Sequence, residues 1–292
     1  MKGFVSTLIA IALGLLLATF IAILQSSQDE FEINQLRYQS LANARTAFEE
    51  AAEDLHDIVG TDIHLQENDA ALFIRFQDTF PPANLSDALD RYAIFLQTSA
   101  SANRHANMSL NVTSLSDGRA EILFFEDQFV YWKDYAANRT VASPLSGGSS
   151  AYNYSGNLTV PLVRASLDQS GLTWVVNASD GTYIDIDYSD SNGSLGWAGY
   201  IDPTRLQRIR ILYDNNQTLD VYFGAMDLFE ANSSFNLDTP GFVLEGSAPA
   251  TFSIIATRPP LTPNQKWGAR YNTWFTYRQD NTTKSGYVVR TG

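Results

Sequence analysis

Cysteine is absent from the 292 residues, so the chain has no disulfide framework, thiolate metal site or cysteine nucleophile. Lysine is scarce: Lys2, Lys133, Lys266 and Lys284 are the only four among 19 basic residues, set against 32 acids and a net charge of −13. A basic stripe for phosphates is therefore missing, which excludes nucleic acid as a partner. Excess acid with arginine favoured over lysine fits life in high salt, where self-repulsion is screened, and it equally fits an ordinary acidic surface. Histidine is limited to His56, His64 and His105, and no pair has the i, i+4 spacing of a helical metal site. No Gly-x-Ser-x-Gly elbow and no phosphate-cradling glycine loop occurs. Nothing points to a base held by an orienting acid, so the sequence assigns no catalytic residue, metal ligand or cofactor.

What is present begins with a long apolar run. Residues 4–25 contain no ionisable group, and about 20 apolar residues in a helix cover the ~30 Å hydrocarbon layer of a membrane. Lys2 precedes the run, while Asp29, Glu30 and Glu32 follow it, which favours an inside N-terminus and an outside bulk. A cleaved secretory signal has a shorter apolar region ending in an A-x-A pattern. That pattern does not follow here, so a retained helix is expected.

The Asn-x-Ser/Thr acceptor pattern occurs at Asn84, Asn107, Asn111, Asn138, Asn153, Asn157, Asn177, Asn192, Asn216, Asn232 and Asn281. Chance predicts about three matches from this composition, so eleven is a marked excess. Placement strengthens it. Met108, Leu110 and Val112 alternate with Asn107, Ser109, Asn111 and Thr113, which on a strand turns both asparagines to solvent. Asn157 alternates against Leu158, Val160 and Leu162 in the same way, and Asn216 lies in the polar turn Asp214–Gln217. N-glycosylation at these positions requires export.

Between Gln28 and Gly60 there is no proline or glycine, and Leu41, Ala44, Phe48, Ala51, Ala52, Leu55, Ile58 and Val59 recur at three- and four-residue steps. One helix from the apolar run to about Val59 is expected, roughly 80 Å long, stopped by Gly60 in a left-handed cap. Beyond it the period changes to two. Strands are expected at 71–76, 107–115, 119–125, 128–133, 157–163, 172–177, 182–188, 207–213, 218–224, 242–245, 251–256, 271–277 and 285–290. A short helix at about 85–101, with Asn84 as its cap, falls between the first two. The fold class is α+β: a long N-terminal helix, then a mainly antiparallel β-sandwich with one short helix. The Ser/Gly-rich stretch 143–156 reads as a linker between a helix-containing β unit (61–142) and a second β-sandwich unit (157–292).

Two further groupings invite chemistry. Asp180, Asp185, Asp187, Asp190 and Asn192 suggest oxygen ligands for calcium, although an EF-hand loop counted from Asp187 fails at its sixth and twelfth positions, Asn192 and Ala198. The alternation with Ile184, Ile186 and Tyr188 reads instead as a strand with an acidic outer face. Trp197, Trp267 and Trp274 are candidates for a sugar-stacking platform, against the commoner use of aromatics as core or cross-strand pairs.

Met1-Lys2-Gly3-Phe4 followed directly by the apolar helix resembles the class III signal of type IV pilins, over about 60 residues of the chain. The resemblance implies removal of a short leader, residues 1–3, by a prepilin-peptidase-like enzyme acting between Gly3 and Phe4. Within the long helix 4–60, the apolar part 4–25 would then leave the membrane and become a filament core through contacts with copies of itself. Bacterial members carry glutamate at the fifth mature position, where this chain has Leu8, so the match is closer to archaeal pilin-like proteins. The expectation is a single-pass or filament-borne surface glycoprotein, with three alternatives in order: structural filament subunit, non-polymerising adhesion ectodomain, and glycan-active enzyme with paired carboxylates.

Overall fold

In the computed structural model the described residues are 2–68, 70–113, 119–124, 129–144, 152–175, 181–224, 241–258, 268–279 and 282–291, with the side chains of 2–15, 29, 67, 119, 120, 290 and 291 outside the description. A single helix, α1, runs Lys2–Val59. It ends where expected: Gly60 adopts φ 66° and its N–H bonds the His56 carbonyl at 3.0 Å.

The rest is mostly antiparallel β structure. The strands are β1 (Asp62–Glu67), β2 (Leu72–Phe80), β3 (Asn107–Asn111), β4 (Arg119–Phe124), β5 (Phe129–Asp134), β6 (Arg139–Pro144), β7 (Asn153–Thr159) and β8 (Arg164–Asp168). They continue as β9 (Thr182–Asp190), β10 (Gly193–Ile201), β11 (Gln207–Tyr213), β12 (Thr218–Gly224), β13 (Gly241–Gly246), β14 (Ala250–Arg258), β15 (Gly268–Gln279) and β16 (Thr282–Thr291). Between β2 and β3 lie α2 (Ser86–Phe95), a π-helical turn over Leu96–Ala100, and α3 (Ser101–Arg104).

Among the described residues these strands form two sheets. A six-stranded sheet has the order β1-β2-β14-β7-β9-β10, with β7 and β9 parallel. A ten-stranded sheet has the order β16-β15-β4-β5-β6-β13-β12-β11-β8, with β3 added beside β15. The division at 143–156 into two β units is corrected by this topology. β2 pairs with β14, β4 with β15 and β6 with β13, so both sheets interleave strands from either side of the stretch. The main buried cluster accordingly draws on residues from both sides of the stretch, such as Phe76, Tyr131, Tyr188 and Ile254.

That core is aromatic. Phe76 of β2 stacks on Tyr131 at 4.9 Å and on Phe129 at 5.6 Å, both from β5 in the facing sheet. The Tyr188 and Tyr213 hydroxyls meet across the sheets at 3.0 Å. Close approach fixes one glycine: at Gly156, φ 151°, a Cβ would stand 2.0 Å from the Ser253 carbonyl oxygen. The middle of the larger sheet is buried on its other face as well, where Leu123, Val130, Trp132, Val141 and Val243 form a second cluster.

Local corrections have simple causes. The residues expected as a strand at 172–177 supply only an isolated bridge, Trp174 to Ile201, with 176–177 outside the described residues. Asn84 is not the helix cap. Leu85 holds that position, and the Asn84 side-chain oxygen accepts instead from the Ser86 N–H at 2.9 Å and its hydroxyl at 2.7 Å, a local turn that outcompetes the cap.

Candidate functional site: assembly helix and glycan acceptors

The two halves of α1 sit in different surroundings. From Ala44 onward the helix lies on β15, β16 and α2. Ala44, Ala47, Ala51, Ala52, Leu55 and Val59 are buried there. Small side chains let the backbone come close, and larger groups lock the flanks. Phe48 packs edge-on against Phe275 at 4.7 Å, with the Lys284 ammonium 4.8 Å over its ring. His56 Nδ1 lies 2.9 Å from the Tyr271 hydroxyl, and Tyr92 of α2 donates to Asp54 at 2.8 Å.

The end of the helix is bolted to both sheets. Lys133 of β5 donates to the Val59 carbonyl at 2.8 Å and pairs with Asp78 of β2 at 2.6 Å. The same Asp78 oxygen accepts from the Tyr131 hydroxyl at 2.7 Å and the Thr61 hydroxyl at 2.8 Å. Its other oxygen accepts the Thr79 N–H at 2.7 Å. Burial pushes the Lys133 ammonium below its ordinary value, with the Asp78 carboxylate opposing that change. Burial, reinforced by Asp78, pushes the Tyr131 phenol well above its ordinary value. A cation placed on a helix's last carbonyls also complements the helix dipole. This network joins rod, small sheet and large sheet at one point.

The other half has no such cover. Leu16, Leu17, Phe20, Ile21, Ile23, Leu24, Phe31, Ile33, Leu36, Tyr38 and Leu41 are all exposed, Phe31 at 70% and Tyr38 at 75%. Apolar surface on this scale marks a contact with lipid or with protein. Among the described residues no helix is long and apolar enough to cross a membrane. The expected span 4–25 lies only partly within them, since the side chains of 4–15 fall outside, as do those of Lys2, Gly3 and Phe4 at the expected processing point.

Eight expected glycan acceptors lie among the described residues: Asn84, Asn107, Asn111, Asn138, Asn153, Asn157, Asn192 and Asn216, and every one is exposed. Asn177, Asn232 and Asn281 lie outside them. Asn138 and Asn216 occupy tight turns with φ 49° and 64°, the left-handed region that asparagine tolerates. Asn157 stands on the outer face of the six-stranded sheet in a polar groove of about 450 Å³, beside Arg75, Gln77, Thr159 and Ser253. Asn192 is the most engaged, its amide donating to the Arg164 carbonyl at 2.7 Å.

The remaining expected groupings are dispersed. Asp185 and Asp187 are exposed at alternate positions of β9, whose Ile184, Ile186 and Tyr188 are buried. Asp190 is held by the Tyr188 hydroxyl and the Asn192 N–H, and Asp180 is outside the described residues. No group of three potential metal ligands occurs among the described residues. The expected tryptophan platform breaks up: Trp197 is core, 5.4 Å from the Tyr188 ring, Trp267 is outside the described residues, and Trp274 alone is exposed. His64 lies at the surface beside Asp62 at 3.0 Å. His105 takes the left-handed position after α3.

No family model matches this chain, nor does any curated protein or any solved structure.

Proposed function

We propose that this chain is a structural subunit of a cell-surface filament of the type IV pilus kind. It assembles through the apolar half of α1 and presents an N-glycosylated β domain to the outside. The observation that carries the reading is the division of α1: eleven large apolar side chains between Leu16 and Leu41 are exposed, while the same helix from Ala44 to Val59 is docked. An apolar rod of this kind is satisfied by lipid before assembly and by neighbouring rods after it. Head-to-tail contacts between identical rods that do not close into a ring propagate as a helical filament. The exposure of all eight described acceptor asparagines supports the outward placement of the β domain.

In this reading the leader ends at Gly3, a prepilin-peptidase-like enzyme frees Phe4, and the partner that matters is another copy of the chain. The test is mass spectrometry of the N-terminus of surface material, combined with electron microscopy. A mature chain beginning at Phe4 in filaments is expected. An intact Met1 on dispersed surface molecules would replace the filament subunit with a membrane-tethered, non-polymerising glycoprotein.

A further inference from the structure

Trp274 is the one tryptophan among the described residues that combines high exposure, 43%, with a strand position beside a glycan acceptor. On β15 it is directly opposite Asn111 of β3 on one side and Tyr287 of β16 on the other. Residues opposite one another in an antiparallel pair share a face, with Cβ atoms about 4.5–5.5 Å apart. The face is solvent: Asn107 and Asn111 are exposed, while Met108 and Leu110 between them are buried. The indole is flanked by a neighbouring ring. Tyr287 meets it edge-on at 5.2 Å, and the Arg270 guanidinium caps the Tyr287 ring at 4.7 Å. The Asn111 side-chain oxygen accepts from the Thr113 N–H at 3.0 Å, which fixes the amide beside the ring.

We infer that the first sugar attached to Asn111 lies on the Trp274 indole, so that Trp274 is the binding platform for the chain's own glycan. The inference rests on the reading that the acceptor asparagines are used. In the modification, the Asn111 amide nitrogen bonds the anomeric carbon of a lipid-phosphate-linked glycosyl donor. The phosphate leaves with the lipid, and the nitrogen gives up one proton. The C–H groups of a pyranose carry the positive edge that the negative face of an indole attracts, and an apolar ring otherwise left in water is covered. The arrangement recurs on the other sheet. Asn153 accepts the Tyr183 N–H at 3.0 Å, and the Tyr183 ring is paired with Tyr200 at 5.1 Å on the same outer face.

The experiment uses the full-length glycosylated chain. Thr113→Ala removes the hydroxyl needed for modification while leaving Asn111 and its bond to the residue 113 N–H in place. Glycopeptide mass spectrometry is expected to find Asn111 occupied in the parent and empty in Thr113→Ala. Thr113→Ala and Trp274→Leu are each expected to lower the unfolding midpoint by about 2–4 °C, and the double variant by no more than either one. Ser194→Ala, which empties Asn192, is expected to add independently to Trp274→Leu. Additive effects of Thr113→Ala and Trp274→Leu, or an empty Asn111 among occupied neighbours, would overturn this inference alone. Sugar at none of the sites would overturn the exported-glycoprotein reading with it.

Discussion

The two halves of α1 are one continuous helix, yet they obey different rules. In the half that meets the sheets, the buried positions are mostly alanine, with Leu55 and Val59 toward the end, and the specificity comes from Phe48, His56 and the Lys133–Asp78 network. In the other half, residues 16–25 are mostly apolar, and Phe31, Ile33, Leu36, Tyr38 and Leu41 stand exposed among polar neighbours. The first is a docked element with one designed address. The second leaves its large apolar side chains exposed along its length. On the filament proposal, this split leaves one half constant while the other exchanges lipid for neighbouring rods.

The sharpest way to break the contrast is to charge the exposed half. Leu17→Arg with Phe20→Arg in the full-length chain is expected to shift it almost wholly from the membrane or filament fraction into the soluble fraction, read by sedimentation, with the β domain still folded by circular dichroism. An arginine in the hydrocarbon costs about 2.5–3.5 kcal/mol each on insertion scales, which accounts for the size of the effect. Retention of both in the pellet would remove the apolar half from the assembly account.

The docked half breaks differently. Lys133→Met leaves the Asp78 carboxylate buried without its cation and is expected to cost about 3–5 kcal/mol in denaturant unfolding. Lys133→Met combined with Asp78→Leu is expected to recover most of that loss, because no charge then remains to be compensated. Equal loss in the double variant would mean that packing at this point, rather than charge, holds the helix end.

Overfilling the alanine stripe tests close approach. Ala47→Leu, facing the domain, is expected to lose about 1–3 kcal/mol, whereas the same replacement at an exposed position of the helix is neutral. Alkaline titration provides a graded version. Burial holds the Tyr131, Tyr154 and Tyr188 phenols above their ordinary value, and that of Tyr213 is pushed up to about 12. A raised folded value means the unfolded chain releases protons first. Stability is therefore full below pH 10 and falls as pH rises from there towards 12, read as a declining unfolding midpoint. The smallest effect belongs to the exposed pair Arg45–Glu49, 2.7 Å apart on the solvent side of α1: Glu49→Gln is expected to leave the midpoint within measurement error.

Much of the architecture was legible because local pattern and tertiary role agreed. Three- and four-residue spacing up to Val59 gave the helix, Gly60 gave its end, and period-two alternation gave most strands within a few residues of their true limits. The unexpected strands have weak signals for physical reasons. β10, GSLGWAGYI, spends three positions on glycine, β6, RTVASP, is short and ends in proline at the Ser/Gly-rich stretch, and β1 and β8 are short edge strands with charged residues that blunt them. Sheet order was out of reach, since β2–β14 and β4–β15 are contacts between segments far apart in the chain.

The network under the helix carried a signal that a closer reading of faces detects. In Leu72–Phe80 the inward positions are Leu72, Ile74, Phe76, Asp78 and Phe80, so an acid stands alone in an apolar row. Lys133 breaks the inward row of β5 behind Phe129 and Tyr131 in the same manner. Two opposite charges, each misplaced on a buried face, predict one another. For the acceptor asparagines the alternation was readable directly, but the tryptophan beside Asn111 depends on a pairing across more than 160 residues.

The junction beneath Gly60 also determines how the molecule responds to tension. A pull on the rod is met along its packed length by β15 and β16 and, at its end, by Lys133 and Asp78 of two facing strands. The load is thereby divided between two hydrogen-bonded sheets, and lifting the helix end away must break the buried Lys133 bond to the Val59 carbonyl.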